Sequence, residues 1–360
     1  MQPTKKLNPF EEDLKYLGDK LNNAQIPDEL RSNTLRMLSR VEKSFLVNGY
    51  SQEFETISKY IDWIAEIPWG KFNYDNLDIQ NVVQTLEKNH FGIQKVKREI
   101  LEYIAVMKLK SMKLGSQQLT EVPVMCFVGL QGIGKTTMAH SIAQALGRPM
   151  IRISMGGMSS ITEIRGTPKS LSDAEPGQII KALIKSQTMN PIIVLDEIDK
   201  VSGQEGKSKD FYAALLEILD PEQNNSFKDH YLDFSIDLSK VMFICTANNL
   251  GPISAALLDR LEIVRFVSYT DEEKTVIAKS YLLPKVLGKT GLTPQQASFS
   301  EDVWPLIIRP LGYDSGIRQL ERSLLGICRR IARTIIDQDA TSVYIDLSNI
   351  QEYLPEPTIF

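Results

Sequence analysis

The run Gly129-Leu130-Gln131-Gly132-Ile133-Gly134-Lys135-Thr136 constrains this chain more than any other stretch. It fits G-x-x-x-x-G-K-[ST], in which glycines let backbone N–H groups turn inward around a phosphate, in conformations a side chain would obstruct. Lys135 can then reach the β/γ-phosphates, and the Thr136 hydroxyl can join the shell of a Mg²⁺ ion. The flanks agree. Val124-Met125-Cys126-Phe127-Val128 is a short apolar run of the kind buried in a parallel sheet. After the loop, Met138, Ile142, Ala145 and Leu146 recur at helical spacing, and Gly147 suits a C-cap. Strand, glycine loop and helix aim a helix N-terminus at a phosphate. Residues 129–136 and the adjoining Thr137 are therefore expected to bind a nucleotide.

At 360 residues the chain can bury a substantial core, and two or three domains are expected. The formal net charge of −4 implies no broad basic surface, so nucleic acid is not the expected partner. Cys126, Cys245 and Cys328 lie far apart in apolar runs and read as buried thiols of a reducing compartment, with neither zinc nor disulfide spacing. The opening Met1-Gln2-Pro3-Thr4-Lys5-Lys6 leads into no apolar signal region, and no stretch is long enough to span a membrane. A soluble cytoplasmic protein with no membrane partner is the expectation.

Residues 10–66 read as helical, with Leu14, Leu17 and Leu21, then Leu35, Leu38, Val41 and Phe45, then Phe54, Ile57, Ile61 and Ile64 marking successive faces. Pro27 and Asn48-Gly49 punctuate them, and Trp69 reads as a packing anchor. From about 86 the pattern becomes α/β. A helix is expected over 93–112, strands over 150–153, 192–195 and 241–245, and helices over 178–188 and 209–219, with an irregular stretch over 156–177. Alternating strands and helices imply a three-layer parallel sheet. After about 270 strands become scarce. Thr270-Asp271-Glu272-Glu273 resembles a helix start, and Ile317, Leu320, Leu324, Ile327, Ile331 and Ile335 stripe one long helix. Three parts are expected: an N-terminal helical segment over 1–70, an α/β nucleotide-binding domain over 71–270, and a small helical lid over 271–360.

Asp196-Glu197 follows four apolar residues about 60 positions after the glycine loop. At the carboxyl end of a strand, Asp196 can hold the Mg²⁺ shell and Glu197 can orient or activate the attacking water. The strand over 241–245 ends in Thr246-Ala247-Asn248-Asn249, where the Asn248 amide can sit beside a γ-phosphate or simply mark a turn. Arg260, in Leu257-Leu258-Asp259-Arg260-Leu261, and Arg318, in Gly316-Ile317-Arg318-Gln319-Leu320-Glu321, read by themselves as surface salt-bridge residues.

Taken in order, these motifs resemble an AAA+ ATPase and, more narrowly, the ATPase region of Lon proteases. The resemblance covers nearly the whole length. It includes Asp62-Trp63, Pro68-Trp69-Gly70-Lys71, His90-Phe91-Gly92-Ile93, Arg152-Ile153-Ser154-Met155-Gly156-Gly157, Glu163-Ile164-Arg165-Gly166, Leu219-Asp220-Pro221-Glu222-Gln223-Asn224 and Asp229-His230-Tyr231-Leu232-Asp233. The resemblance implies ATP and Mg²⁺ as ligands, Asn248 as sensor 1, Arg260 as an arginine finger acting on a neighbouring subunit's ATP, and Arg318 as sensor 2. His90, Phe91 and Ile93 would flank the adenine. It further implies a homo-oligomeric, hexameric ring that unfolds protein substrates and feeds a peptidase.

Where the family's peptidase domain would begin, the sequence stops at Phe360, so no peptidase site is expected on it and a separate peptidase becomes a possible partner. The family's large N-terminal domain is likewise not expected. Where the family carries Arg-Arg-Thr-Tyr-Ile-Gly in its pore loop, this chain reads Pro168-Lys169-Ser170-Leu171-Ser172-Asp173. An aromatic grips a passing backbone through a large rigid surface, which Leu171 does not offer. Lys209-Asp210-Phe211-Tyr212 likewise stands near a usual Gly-Asp-Pro. Two functions compete: a protein-unfolding ATPase, and an ATP-controlled assembly or regulatory module that does not thread substrate. A DNA-directed clamp-loader-like role fits the acidic balance poorly.

Overall fold

Ile192–Asp196 is apolar along its length and every residue is buried, the pattern of a central parallel strand covered on both faces. The structure, a computed structural model, describes residues 9–48, 52–114, 124–158, 160–171, 173–201, 207–310 and 316–354. Its strands are β1 (Val124–Val128), β2 (Met150–Ser154), β3 (Ile192–Asp196), β4 (Phe227–Asp229), β5 (Phe234–Ile236), β6 (Met242–Ala247), β7 (Leu261–Arg265), β8 (Ala297–Phe299) and β9 (Val343–Ile345). A five-stranded sheet runs in the order β2-β3-β6-β1-β7. Its β2, β3 and β6 are parallel, with Arg152 opposite Val194 and Val194 opposite Ile244. The three-layer parallel architecture expected from the sequence is the one present.

The described residues form two compact units. One is drawn from 1–77, 106–126 and 146–263, the other from 78–105, 127–145 and 264–360. In the first, helices Pro9–Asn23, Asp28–Asn48 and Gln52–Glu66 bury Leu17, Leu21, Leu38, Val41, Phe54, Ile61 and Ile64. The Phe45 side chain and Gly49 of the expected turn lie outside the described residues, as do residues 1–6. Trp69 packs edge-on against Phe234, 6.1 Å between ring centres, and donates its indole N–H to Ile64 O at 2.8 Å. The chain then passes Asn73, whose backbone N–H and C=O are both bonded by the Asn190 amide at 2.8 Å. It next meets Asp75, which takes a forked pair from Arg148 at 2.5 and 2.6 Å.

In the second unit, Thr270 and Glu273 close a capping box at the start of Asp271–Ile277. That helix continues through a π turn at Ala278–Leu282 into Leu283–Thr290. The long helix Ile317–Asp337 buries Leu320, Leu324, Ile327 and Ile331 against Val286, Val303 and Ile307. β8 and β9 pair in parallel at its edge.

Several expectations need correction. The stretch over 156–177 is not wholly irregular: Ile161–Arg165 is helical, capped reciprocally by Ser160 and Glu163. The following helix ends at Ser186, with Gln187 in the left-handed conformation. The hairpin β4–β5 and the strands β7 and β8 were not anticipated. The Arg148–Asp75 pair joins a buried guanidinium to a largely buried carboxylate. Removing one partner of such a pair leaves a charge uncompensated, so Arg148→Ala should lower stability by about 3–5 kcal/mol in urea denaturation, and Arg148→Met with Asp75→Leu by much less.

Candidate functional site

The two expected halves of the site fall in the two units.

In the unit that carries the glycine loop, Gly132 and Gly134 sit at φ 81° and 105°, where a side chain would be strained. A Cβ on Gly132 would lie 2.9 Å from the Cβ of Arg318. The N-terminus of Ile317–Asp337 therefore lies directly on the loop, with Gly316 close to Gln131 O. Lys135 opens the helix Lys135–Leu146; its ammonium is folded onto the loop, donating to Gly129 O at 2.5 Å and Leu130 O at 3.0 Å. Ile133 is buried beneath the loop while Leu130 is exposed on it. Thr136 is half-buried, and Thr137 donates to Gly134 O at 2.7 Å.

His90, Phe91 and Ile93 lie in the same unit, in the link between helices Ile79–Asn89 and Gln94–Leu114. Gly92 and Ile93 both have positive φ, and at 46° Ile93 is an outlier for a β-branched residue. His90 Nε2 lies 2.9 Å from Ser141 Oγ on the helix that follows the glycine loop. Phe91 packs against the apolar core of the C-terminal helices. Lys97 is buried beneath this link, bonded to His90 O and to Glu87, each at 2.7 Å. Desolvation first, and the Lys97 charge second, lower His90 from 6.5 to about 4.

In the other unit, Asp196 ends β3. Its Oδ1 accepts from Thr246 Oγ1 at 2.5 Å and its Oδ2 from Arg152 Nε at 2.6 Å. Thr246, fully buried near the end of β6, also accepts the Glu197 backbone N–H at 2.9 Å. Glu197 takes the left-handed conformation at φ 59°, and its carboxylate accepts from Lys200 at 2.9 Å. Asn248 follows β6 directly. Arg260 follows the short helix Ala255–Leu258 with its side chain 51% exposed, and its Nε lies 3.6 Å from the buried Asp220. Neither Thr246 nor Arg152 was singled out from the sequence as a site residue, although both stand in runs quoted above. Only the register of β2, β3 and β6 reveals them.

With this geometry in place, comparison with known proteins defines the class. Residues 125–269 match the model described as "ATPase family associated with various cellular activities (AAA)". That stretch is an AAA ATPase module. More particularly, residues 288–343 match the "Lon protease AAA+ ATPase lid domain", and the relatives are Lon proteases. "Lon protease 2" of Herpetosiphon aurantiacus is 41% identical over 350 residues, covering 97% of this chain and 42% of that protein. "Lon protease 1" of Bacillus subtilis is 40% identical over 342 residues, covering 95% and 43%. This chain thus spans about two fifths of the length of the curated relatives it matches. Among the described residues no helix is long and apolar enough to cross a membrane.

The lowered His90 value fixes a pH dependence. Between about 4 and 6.5 the unfolded chain holds a proton at this site that the folded chain does not. Stability should therefore fall as pH drops through that window, and His90→Gln should flatten the fall in urea midpoints measured across it.

Proposed function

We propose that this chain binds ATP with Mg²⁺, hydrolyses it, and uses the turnover to remodel protein substrates as a cytoplasmic homo-oligomeric ring, most simply a hexamer. It acts alone or beside a separate peptidase. Its working parts are the segments 1–70, 71–270 and 271–360. The observation that carries the reading is the pair Asp196 and Glu197, tied to one buried hydroxyl, Thr246, yet with separate partners for their carboxylates. Separate partners give adjacent carboxylates different environments, and with them different tasks.

Mg²⁺ prefers hard oxygen donors and is held through one or two carboxylates together with phosphate oxygens. Asp196 and the Thr136 hydroxyl are donors of that kind. Among the described residues no three His, Cys, Asp or Glu side chains converge into a dedicated cage, which suits an ion shared with a nucleotide. Bound Mg²⁺ supplies neutralisation of phosphate charge. In this reading Lys135 and the loop amides bind the phosphates, Glu197 orients the attacking water, and Asn248 assists from the neighbouring strand. Arg318 reaches the γ-phosphate from the lid, Arg260 serves a neighbouring subunit, and His90, Phe91 and Ile93 border the adenine.

One observation favours the second reading, a regulatory module that does not thread substrate. Leu171, 57% exposed, stands where the family carries an aromatic, and Phe211 and Tyr212 are buried core residues rather than presented ones. Ser172 and the Lys209 side chain lie outside the described residues. Stimulation of ATP hydrolysis by an unfolded protein such as casein supports threading, and its absence supports regulation.

Mg-ATP hydrolysis followed against protein concentration tests the core of the proposal. Specific activity should rise with concentration. Glu197→Gln should bind ATP but hydrolyse it very slowly. Arg260→Ala should lose about 10³- to 10⁵-fold in rate and recover activity when mixed with Lys135→Ala, whose finger is intact. An Arg260→Ala protein that hydrolyses normally by itself overturns the trans-finger assignment. Blank-level turnover of the unmodified chain at every concentration overturns the ATPase.

A further inference from the structure

Two of the runs that carry the Lon-type resemblance, Glu163-Ile164-Arg165-Gly166 and Asp229-His230-Tyr231-Leu232-Asp233, contribute nothing to the nucleotide roles above. The structure brings them together at the base of the segment 167–176, the counterpart of the family's pore loop. The His230 N–H donates to Arg165 O at 2.7 Å, and the Thr167 N–H to Glu175 O at 3.0 Å. Asp229 is fully buried between them. Its Oδ2 accepts the Gly177 N–H at 2.8 Å, and its Oδ1 accepts the N–H groups of Tyr231 and Leu232 at 2.9 and 3.0 Å.

The fit leaves no room for side chains at either stem. A Cβ on Gly166, at φ 80°, would meet both Asp229 oxygens at 2.8 and 2.9 Å, and a Cβ on Gly177 would lie 1.9 Å from Ile164 O. A buried carboxylate is costly unless hydrogen bonds meet it, and here three backbone amides do. Burial, the larger effect, pushes this carboxyl above the usual range, and the amides act against it.

A second support comes from the N-terminal helices. Tyr60, on Gln52–Glu66, donates its hydroxyl to Leu232 O at 2.9 Å and packs its ring 5.9 Å from that of Tyr231. The Lys169 ammonium lies over the same ring, 4.7 Å from its centre, a cation–π seat for the outgoing arm of the segment.

We propose that Asp229 is the positioning residue of the segment 167–176: its carboxylate ties the return stem at Gly177 to the β4–β5 hairpin, while Tyr60 seats the outgoing arm at Lys169. Both stems of the segment are thereby held on a mount braced by the N-terminal helices. This inference deepens the threading reading and rests on it for the segment's contact with substrate.

Asp229→Asn tests it selectively. The amide oxygen can still accept from Tyr231 and Leu232, so the local turn survives, but its NH₂ faces the Gly177 N–H and the tie is severed. Hydrogen exchange at Gly177 should quicken by about tenfold or more, while Tyr231 and Leu232 stay protected. The casein-stimulated increment of ATP hydrolysis should fall by about threefold or more, well beyond any change in the casein-free rate. A folded Asp229→Asn protein with unchanged exchange at Gly177, or with a full casein increment, overturns the proposal. Should this variant fail to fold, exchange on the unmodified protein decides. A Gly177 amide exchanging far more slowly than its intrinsic unfolded-chain rate supports the tie, and exchange at that rate refutes it. If casein does not stimulate the unmodified protein, the threading reading fails by itself, and the exchange comparison still judges the mount.

Discussion

The buried hydroxyl of Thr246 is the contact on which the carboxyl end of the central strands depends. It donates to Asp196 and accepts the backbone N–H of Glu197, so one side chain on β6 fixes both residues at the end of β3. The parallel register of the two strands brings it there, with Leu195 opposite Cys245. Glu197 must then leave the strand in the left-handed conformation, which turns the chain into the short helical turn Ile198–Lys200. A non-glycine residue held there is strained, and such strain persists only where surrounding contacts over-determine it. Arg152, reaching along β2 to the other oxygen of Asp196, completes the hold.

Much of this was legible in the sequence, and the pattern of successes has a physical basis. β1, β3 and β6 are continuous apolar runs because both faces of a central strand are covered. The last long helix carries an uninterrupted stripe at helical spacing. The glycine loop is legible because phosphate geometry restricts the residue types allowed at each position. The elements that escaped notice are short or lack such a pattern. β4, β5 and β8 have three residues each, too few for alternation to register. Ile161–Arg165 is little more than one turn and sits in a polar, glycine-rich stretch, although Ser160 and Glu163 spelled out its capping box. Thr246 and Arg152 could not be recognised as site residues because their roles arise from strand order and register, which no local pattern encodes.

The two ends of the proposed machinery differ in how far they follow the family pattern. Around the glycine loop every expected residue type is present, and the loop packs so closely on the lid helix that Gly132 has no space for a methyl group. At the segment 167–176 the mount is built to the same standard, with a buried carboxylate and two glycines, yet the exposed tip presents Leu171 in place of an aromatic ring. The support is rigid, while the side chain exposed beyond it is flexible and aliphatic.

The most direct test of this account compares Thr246→Ser with Thr246→Val. Serine keeps the hydroxyl, and valine keeps the shape but removes it. Nucleotide binding should survive in both. Mg-ATP hydrolysis should persist in Thr246→Ser and fall by about 10²-fold or more in Thr246→Val, the scale seen when one preorganising donor is lost from a catalytic site. A Thr246→Val protein that hydrolyses ATP at the unmodified rate would contradict the claim that this hydroxyl sets the two carboxylates for catalysis.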